Sequence, residues 1–320
     1  MSPLPAFLPL TPRYHARVWG GEKLAPPQGG TPIGEAWVAD GESVVSAGPC
    51  AGRTVNELLR QDARALLGTR AADEATFPLL IKLLDCHDWL SVQVHPDDAQ
   101  ARELVGPGER GKTEAWHILE AQPGSELIAG VKEGTGAGEL HAAIRAGRVL
   151  DVSRRHQVEV GDTVYIPAGT LHALGPGLLL YEVQQASDTT YRVYDWDRPA
   201  SAGRALHLEE SVRVIDPALS GDLRRGAETG RRGELVRSPY FTLWGAEGGE
   251  PLDTAGQSCH VVTALGHLVL TCGPERLELT PHATALVPAG TGRHALEGSG
   301  RALVARIAGE EDPSPLPASL

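Results

Sequence analysis

Residues 164–183 have the sequence VYIPAGTLHALGPGLLLYEV, and the prediction of the fold class starts from these residues. It contains a hydrophobic strand, a Pro-Ala-Gly-Thr turn, a histidine and a second strand that follows a Gly-rich turn. Residues 285–307, ALVPAGTGRHALEGSGRALVARI, repeat the same plan. Two copies of one supersecondary unit predict two domains of the same architecture. Because short strands separated by frequent turns are typical of sandwiches and barrels, we expect two jelly-roll-like β-barrels and a mainly β protein.

The rest of the chain adds helices to the first barrel. Helical patterns occur at residues 54–68, from 98 to about Leu104, at 139–149 and at 205–216, and strand patterns at 77–85, 90–98, 113–121 and 156–196. Residues 220–234 are polar, which predicts a linker or a long exposed loop. We therefore predict a first domain with short helical insertions at 1–230, and a second domain at 231–320 that ends in a flexible tail.

Composition and charge argue against several classes of protein. Of the 320 residues, 41% are hydrophobic and 22% are charged, with 38 glycines and 24 prolines, as in a globular protein rich in turns. No apolar run reaches about 18 residues, and the N-terminus has no secretory pattern, so we expect no membrane partner and a cytoplasmic location. The four scattered cysteines fit reduced thiols. A net charge of −12 argues against nucleic-acid binding.

Lysine is rare in this chain. Only four lysines occur among the 29 basic residues, namely Lys23, Lys82, Lys112 and Lys132. A lysine that persists against this bias toward arginine is either needed as an ammonium group or a chance survivor. Lys82 and Lys112 flank the stretch that is richest in chemically active side chains, which favours a role for both.

Four side chains form a candidate metal site. Alternation along a strand places Gln93 and His95 on one face, where both can reach one ion. Glu114 on another strand and His172 after the Pro-Ala-Gly-Thr turn complete a set of two imidazoles, one carboxylate and one amide oxygen. This set suits Zn²⁺ with a position left open, as in catalytic sites. The alternative is that these are ordinary hydrogen-bonded residues of a barrel.

The other histidines are weaker candidates. We assign structural or surface roles to those without convergent partners: His87, His117, His141, His156, His207, His260, His267 and His282. His294 occupies in the second repeat the place of His172 in the first, but no QxH strand and no matching glutamate accompany it. We predict that the second domain binds no metal and packs against or covers the first.

Six stretches resemble type I mannose-6-phosphate isomerase, the cupin-fold phosphomannose isomerase family. They are WGGEKL (19–24), GEAWVAD (34–40), FPLLIKLLDCHDWLSVQVHPDD (77–98), GKTEAWHIL (111–119), IPAGTLHALG (166–175) and EVQQASDTTYRVYDW (182–196). QVHPDD, GKTE and SDTTYRVYDW are together highly specific. The resemblance implies two cupin domains, one zinc ion per chain, and interconversion of mannose 6-phosphate and fructose 6-phosphate through an enediol-type proton transfer.

The resemblance also implies roles for individual residues. It makes Gln93, His95, Glu114 and His172 the zinc ligands. It places the following residues in the substrate pocket: Ser91, Lys82, Lys112 and Arg192. It gives catalytic roles to Arg192, Lys112, Glu182 and Asp188, where Arg192 stabilises the developing negative charge and the general base stays open among the other three. Strand alternation would put Arg192 on the face opposite Tyr191 and Tyr194.

Two features depart from the larger members of the family. Thr113 stands where they have proline, and only 57 residues separate Glu114 from His172, as in a short bacterial form. Two other functions are weighed, a cupin metal oxygenase and a non-catalytic sugar-binding cupin. Gln93 as a ligand argues against the histidine-rich iron site of an oxygenase, and the complete ligand set argues against loss of catalysis. We expect a monomer or weak homo-oligomer that acts on a small sugar phosphate.

Overall fold

The computed structural model describes residues 4–199, 204–229 and 232–309 and shows a mainly β protein, as predicted. In chain order the elements are β1 (Leu8–Thr11), β2 (Arg13–Gly21), β3 (Ile33–Ala39), β4 (Val44–Val45), α1 (Val55–Gln61), α2 (Ala63–Leu67), β5 (Leu79–Cys86), β6 (Val92–Val94), α3 (Asp98–Leu104), β7 (Glu114–Ala121), β8 (Glu126–Val131), α4 (Ala137–Arg145), α5 (Val149–Val152), β9 (Ser153–Gln157), β10 (Thr163–Ile166), β11 (His172–Leu174), β12 (Leu178–Gln185), β13 (Tyr191–Tyr194), α6 (Leu208–Val214), β14 (Asp222–Arg224), α7 (Gly226–Thr229), β15 (Gly233–Arg237), β16 (Phe241–Glu247), β17 (Pro251–Asp253), β18 (His260–Ala264), β19 (Leu268–Cys272), β20 (Glu275–Leu279), β21 (Thr284–Val287), β22 (Arg293–Glu297) and β23 (Arg301–Ile307).

The chain divides into two compact units. Unit 1 contains residues 1–13, 36–82 and 229–320, and unit 2 contains residues 14–35 and 83–228. The sequence predicted a single change of domain near residue 230, whereas two N-terminal stretches belong with the C-terminal repeat. The reason is long-range pairing, because β1 lies between β21 and β4 in one sheet of unit 1.

Unit 1 contains a seven-stranded sheet in the order β15-β16-β23-β18-β21-β1-β4 and a four-stranded sheet in the order β17-β22-β19-β20. The strands alternate between buried apolar and outward-facing positions, and their inner faces share one apolar core. That core takes Val262 and Val304 from the larger sheet and Leu270 and Leu296 from the smaller one, all fully buried. Unit 1 is therefore a two-layer β structure built around the second repeat.

Unit 2 contains most of a seven-stranded sheet in the order β14-β10-β7-β12-β5-β2-β3, in which β3 and β5 continue into stretches assigned to unit 1, and a five-stranded sheet in the order β13-β6-β11-β8-β9. One apolar core lies on the inner faces of both sheets and includes Trp116 and Leu174. A second core lies where α4, α5 and α6 cover the outer face of the smaller sheet. Val92 and Val94 belong to this outer core, so Gln93 between them points to the interior of the unit.

The predicted repeat is present in the structure. The strands β10, β11 and β12 carry the first copy, and β21, β22 and β23 carry the second. In unit 2 β7 lies between β10 and β12, and in unit 1 β18 lies between β21 and β23. The two copies therefore hold the same place in their sheets.

Several predicted segments need correction. The helix predicted at residues 54–68 is interrupted at Asp62, which leaves the helical conformation and caps α2 by accepting a hydrogen bond from the Ala65 amide. The stretch 220–234 is not simply a loop, since β14 pairs with β10 and Arg225 forms an ion pair with Asp162. This segment is held by backbone hydrogen bonds and an ion pair. Its polar sequence therefore does not predict a strand. The predicted flexible tail after residue 309 lies outside the described residues.

Within the part of the chain that the structure describes, no helix is both long and apolar enough to cross a membrane.

The helix α3 begins where the sequence predicts it, because Asp97 caps it and pairs with Gln100 in a reciprocal capping box. That helix start lies directly after His95, so the cap also fixes the exit of the chain from the candidate site.

Candidate metal centre and its surroundings

Three strands of unit 2 bring the predicted ligands together. His172 begins β11 and lies directly opposite Gln93 of β6, while Glu114 begins β7 in the other sheet. The Nε2 atom of His172 lies 3.1 Å from Nε2 of His95 and 3.4 Å from Oε1 of Glu114. Nε2 of His95 lies 3.5 Å from Oε2 of Glu114. Both histidines and the glutamate are about 1% exposed, so this cluster is shielded from solvent.

The hydrogen bonds of the two imidazoles determine which nitrogens can bind a cation. Nδ1 of His95 lies 3.0 Å from the carbonyl oxygen of Thr189, and Nδ1 of His172 lies 2.9 Å from that of Thr170. Because a carbonyl only accepts, both Nδ1 atoms carry the proton. The two Nε2 atoms therefore present lone pairs to each other at 3.1 Å, and this contact needs a cation between them, or a donor such as the Gln93 amide, to relieve it.

A metal ion fits this requirement better than a proton does. Burial, together with the charge of Lys112, lowers the pKa of His172 to about 4. A tetrahedral ion with bonds of about 2.0–2.1 Å holds its ligands about 3.3 Å apart, close to the separations observed here. The donor set and its spacing therefore suit a metal ion bound by His95, Glu114 and His172.

Gln93 lies beside the same point. Its amide nitrogen is 3.2 Å from Nε2 of His172, and its amide oxygen accepts a hydrogen bond from the hydroxyl of Ser91. A half-turn of the amide would direct its oxygen at the ion, while its nitrogen would then donate to Ser91. Ser91 is buried and contacts Gln93, so its observed contact orients this amide.

Lys112 and Glu182 surround the cluster with charge. The Lys112 ammonium lies 3.3 Å from Oε2 of Glu114, and its side chain is buried. Glu182 lies on β12 opposite Trp116, and its Oε2 accepts a hydrogen bond of 2.9 Å from the indole nitrogen. The edge of the Trp116 ring packs against His172, with ring centroids 5.6 Å apart. Trp116 thus joins the cluster to Glu182.

Arg192 faces the interior from the neighbouring strand. It lies opposite Gln93 in the pairing of β13 with β6, so both side chains are on the same face. Strict alternation would place Tyr194 on the face of Arg192, but a register irregularity between these two residues lets both Tyr191 and Tyr194 contact the outer core, on the opposite face. Burial and the charge of Arg204 lower the pKa of Arg192, but arginine keeps its charge.

Asp188 and Lys82 have different surroundings. Asp188 is exposed in the loop before β13, where its charge acts on Arg192. Lys82 is the last residue of its stretch of unit 1, is buried, and lies over the ring of Trp37 at 5.5 Å from the ring centroid. The structure therefore groups Lys112, Glu182 and Arg192 with the four candidate ligands, and not Asp188.

Sequence reasoning missed a set of supporting residues. Thr113 donates its backbone N–H to the side chain of Gln185 and accepts a hydrogen bond on its hydroxyl from the Ala168 amide. The carbonyls of Thr170 and Thr189 orient the two histidines. Trp116 could have been found from the sequence, because it lies two residues after Glu114 on the same face of a strand. The carbonyls of Thr170 and Thr189 and the side chain of Gln185 could not, because they leave no local pattern in the sequence.

Unit 1 contains a pair of histidines at the corresponding place. His260 begins β18 opposite Val287, just as Glu114 begins β7 opposite Ile166. Val287 and Ile166 each precede the proline of the repeated turn. By register, His260 is therefore the counterpart of Glu114.

This histidine pair differs chemically from the cluster in unit 2. His294 donates through Nδ1 to the carbonyl of Gly292, and its Nε2 lies 3.3 Å from Nδ1 of His260. A proton on Nδ1 of His260 can be donated to Nε2 of His294, so the contact between the two rings is an ordinary hydrogen bond. This pair therefore does not require a metal. Leu252, which lies opposite His294, offers no ligand atom. That the second domain is metal-free stays a prediction.

Comparisons with known proteins agree with this geometry. Residues 7–118 match the sequence profile of the family described as phosphomannose isomerase type I, catalytic domain. The chain is 37% identical over 294 residues to the mannose-6-phosphate isomerase of Streptococcus mutans, covering 87% of this chain and 91% of the relative. It is 35% identical over 314 residues to the mannose-6-phosphate isomerase ManA of Bacillus subtilis, covering 92% of this chain and 97% of the relative.

Solved structures show the same similarity. The crystal structure of the mannose 6-phosphate isomerase from Bacillus subtilis superposes with a TM-score of 0.82 at 30% identity, covering 94% of this chain and 99% of that one. A phosphomannose isomerase mutant from Salmonella typhimurium superposes with a TM-score of 0.76 at 15% identity, covering 95% of this chain and 100% of that one. At that identity the likeness concerns the fold alone.

Proposed function

This chain belongs to the type I phosphomannose isomerase family and is an isomerase, and on that premise we propose that it interconverts mannose 6-phosphate and fructose 6-phosphate with the help of a zinc ion. The observation that carries the proposal is the pair of imidazole lone pairs, on His95 and His172, that meet 3.1 Å apart beside Glu114. With Gln93, these residues would hold the ion. When bound, zinc supplies a Lewis acid that polarises or orients the oxygens of the sugar.

The open side of the site lies toward Gln93 and Arg192. Of the four candidate ligands only Gln93 is partly exposed, and Arg192 next to it is partly exposed as well. Nε of Arg192 is buried without a hydrogen bond among the described residues. A guanidinium with a free donor directed into a half-buried site is suited to an anionic oxygen. We therefore assign to Arg192 the stabilisation of the enediolate that forms during isomerisation.

Isomerisation also requires a base. The base removes the proton from C2 of the aldose and returns it to C1, while one proton moves from O2 to O1, so no atoms are gained or lost. Glu182 is the best placed of the three candidates, because it is 4% exposed and its charge acts on His172. Lys112 is paired with Glu114 and serves as a cation, and Asp188 is exposed to water.

The phosphate requires cationic partners. Lys112 supplies one buried ammonium beside the cluster, and Lys82 supplies another buried ammonium in unit 1. In an acidic protein such cations would concentrate the dianionic substrate locally. The place of Lys112 beside the cluster supports its phosphate contact, a phosphate contact of Lys82 stays a prediction from the sequence, and we assign Ser91 to the orientation of Gln93 as well as to the substrate pocket.

A coupled assay for fructose 6-phosphate formation tests the proposed function. The purified protein should convert mannose 6-phosphate, lose activity on treatment with a chelator, and recover activity on addition of Zn²⁺. Lys112→Ala and Lys82→Ala should discriminate less between mannose 6-phosphate and free mannose, because each removes a charged hydrogen-bond donor. Metal-loaded protein that forms no fructose 6-phosphate would refute the proposal.

A further inference from the structure

We infer that Gln185, together with Asp98 and Thr113, forms a clasp that positions Glu114 and Lys112 for the proposed metal site, so that Gln185 is a positioning residue for metal binding and turnover. This inference rests on the proposed function for its catalytic part, but the clasp itself is defined by hydrogen bonds of unit 2. None of the three residues contacts the imidazole nitrogens of the cluster.

The side chain of Gln185 uses both ends of its amide. Its oxygen accepts a hydrogen bond of 2.9 Å from the backbone N–H of Thr113, and its nitrogen donates to Oδ1 of Asp98 at 2.9 Å. The backbone N–H of Gln185 donates to the Thr113 carbonyl at 3.2 Å. Gln185 is 3% exposed, so its amide has no water to replace these partners.

Asp98 ties the same segment to the start of α3. Its Oδ1 accepts both from Gln185 and from the backbone N–H of Gly111, the latter at 2.7 Å. A Cβ on Gly111 would lie 2.6 Å from the backbone nitrogen of Asp98, so the chain before Lys112 runs directly against this helix start. One carboxylate therefore holds Gly111 and Gln185 together.

Thr113 extends the clasp to the second histidine. Its hydroxyl accepts a hydrogen bond of 3.2 Å from the Ala168 amide in the Pro-Ala-Gly-Thr turn. Two residues later, the Thr170 carbonyl accepts from Nδ1 of His172. Lys112 and Glu114 stand on either side of Thr113, so the bonds of this one residue fix the place of both charges. A proline at this position has neither an N–H nor a hydroxyl and could make neither bond.

The test compares Gln185→Met, which keeps the length of the side chain and removes both hydrogen bonds, with Gln100→Met as its matched control. Gln100 belongs to the capping box of α3, at the same helix start, but does not contact the clasp. Zinc affinity is measured by competition with a chromogenic chelator, and the geometry of the site by the absorption spectrum of the Co²⁺-loaded protein. Steady-state kinetics give kcat and KM separately.

We expect Gln185→Met to weaken zinc binding about 10- to 100-fold, the range typical of residues that orient metal ligands, and to alter the Co²⁺ spectrum. Its kcat should fall more than its KM rises. Asp98→Asn, which keeps the Oδ1 acceptor, should stay close to wild type. Gln100→Met should leave zinc affinity and spectrum unchanged.

Equal zinc affinity and equal Co²⁺ spectra in Gln185→Met and Gln100→Met would overturn the inference, because the clasp would then serve stability alone. If Gln185→Met does not fold, Gln185→Glu, which keeps an acceptor for the Thr113 N–H and loses the donor to Asp98, provides the comparison, and unchanged zinc affinity and Co²⁺ spectrum there would count equally against the clasp. Because zinc affinity and the Co²⁺ spectrum need no substrate, a failure of the proposed isomerase activity would not be confused with a failure of the clasp.

Discussion

Trp116 connects His172 to Glu182: its ring edge packs on the imidazole at a centroid distance of 5.6 Å, and its indole N–H donates to the carboxylate at 2.9 Å. The ring is about 1% exposed. One buried side chain therefore contacts both the proposed base and a proposed ligand.

This relationship predicts a change in pH dependence. Trp116→Phe keeps an aromatic ring but removes the N–H that stabilises the ionised form of Glu182. The carboxylate should then protonate more readily, and the acidic limb of the profile of kcat/KM against pH should move to higher pH. Zinc content serves as the control and should be unchanged. An acidic limb that does not move would show that Trp116 does not influence the ionisation of the base.

The base itself is tested by Glu182→Gln. The amide keeps the size of the side chain and can still accept from Trp116, but it cannot take up a proton. We expect kcat to fall on the order of 10²–10⁴-fold with a small change in KM, as for loss of a general base. Asp188→Asn provides the comparison, because Asp188 is exposed. A larger loss in Asp188→Asn than in Glu182→Gln would reverse this assignment.

Arg192→Lys tests the proposed stabilisation of the enediolate. Lysine keeps the charge but loses the planar fork of donors, so kcat should fall more than KM rises, on the order of 10²–10³-fold. Zinc content and melting temperature should remain those of the wild type, since Arg192 is not a ligand. Normal turnover, or a loss that merely follows unfolding, would contradict this role.

The histidine pair of unit 1 predicts a pH dependence of stability. Burial, with Arg306 and His294 nearby, lowers the pKa of His260 well below its usual value of 6.5, and burial also lowers that of His294. The unfolded chain therefore binds these protons more readily than the folded protein does. The stability that they contribute is complete above pH 6.5 and is lost as the pH falls toward the folded values.

His260→Gln should flatten this dependence. Melting temperatures are measured over about three pH units, roughly from pH 5 to 8, around the usual histidine pKa. They should fall more steeply toward acid in the wild type than in the variant. Zinc content should stay equal in both proteins. Parallel curves would show that the pair does not remain neutral in the folded state.

The sequence predicted the parts of the site that depend on local pattern. A period of two along β6 was enough to place Gln93 and His95 on one face, because Val92 and Val94 fill the outer core. His172 was located by its place directly after the repeated Pro-Ala-Gly-Thr turn. Both are properties of a few consecutive residues.

Other features depend on contacts between distant residues and could not be predicted. The bonds of Gln185 to Thr113 and Asp98 join positions 72 and 87 residues apart, and no spacing in the sequence marks them. The choice of Glu182 over Asp188 as the base depends on burial, because Glu182 is buried within β12 whereas Asp188 is exposed in the loop before β13. The joining of β1 to the C-terminal repeat is likewise a matter of long-range pairing.

The central claim is that His95, Glu114 and His172 hold a zinc ion on which isomerisation depends. The most direct measurement is the zinc-to-protein ratio of the purified wild type, His95→Ala and His294→Ala, determined by elemental analysis beside the coupled assay. We expect one zinc per chain in the wild type and in His294→Ala, both active, and neither zinc nor turnover in His95→Ala. A His95→Ala protein that keeps its zinc and its turnover, or a His294→Ala protein that loses them, would contradict it.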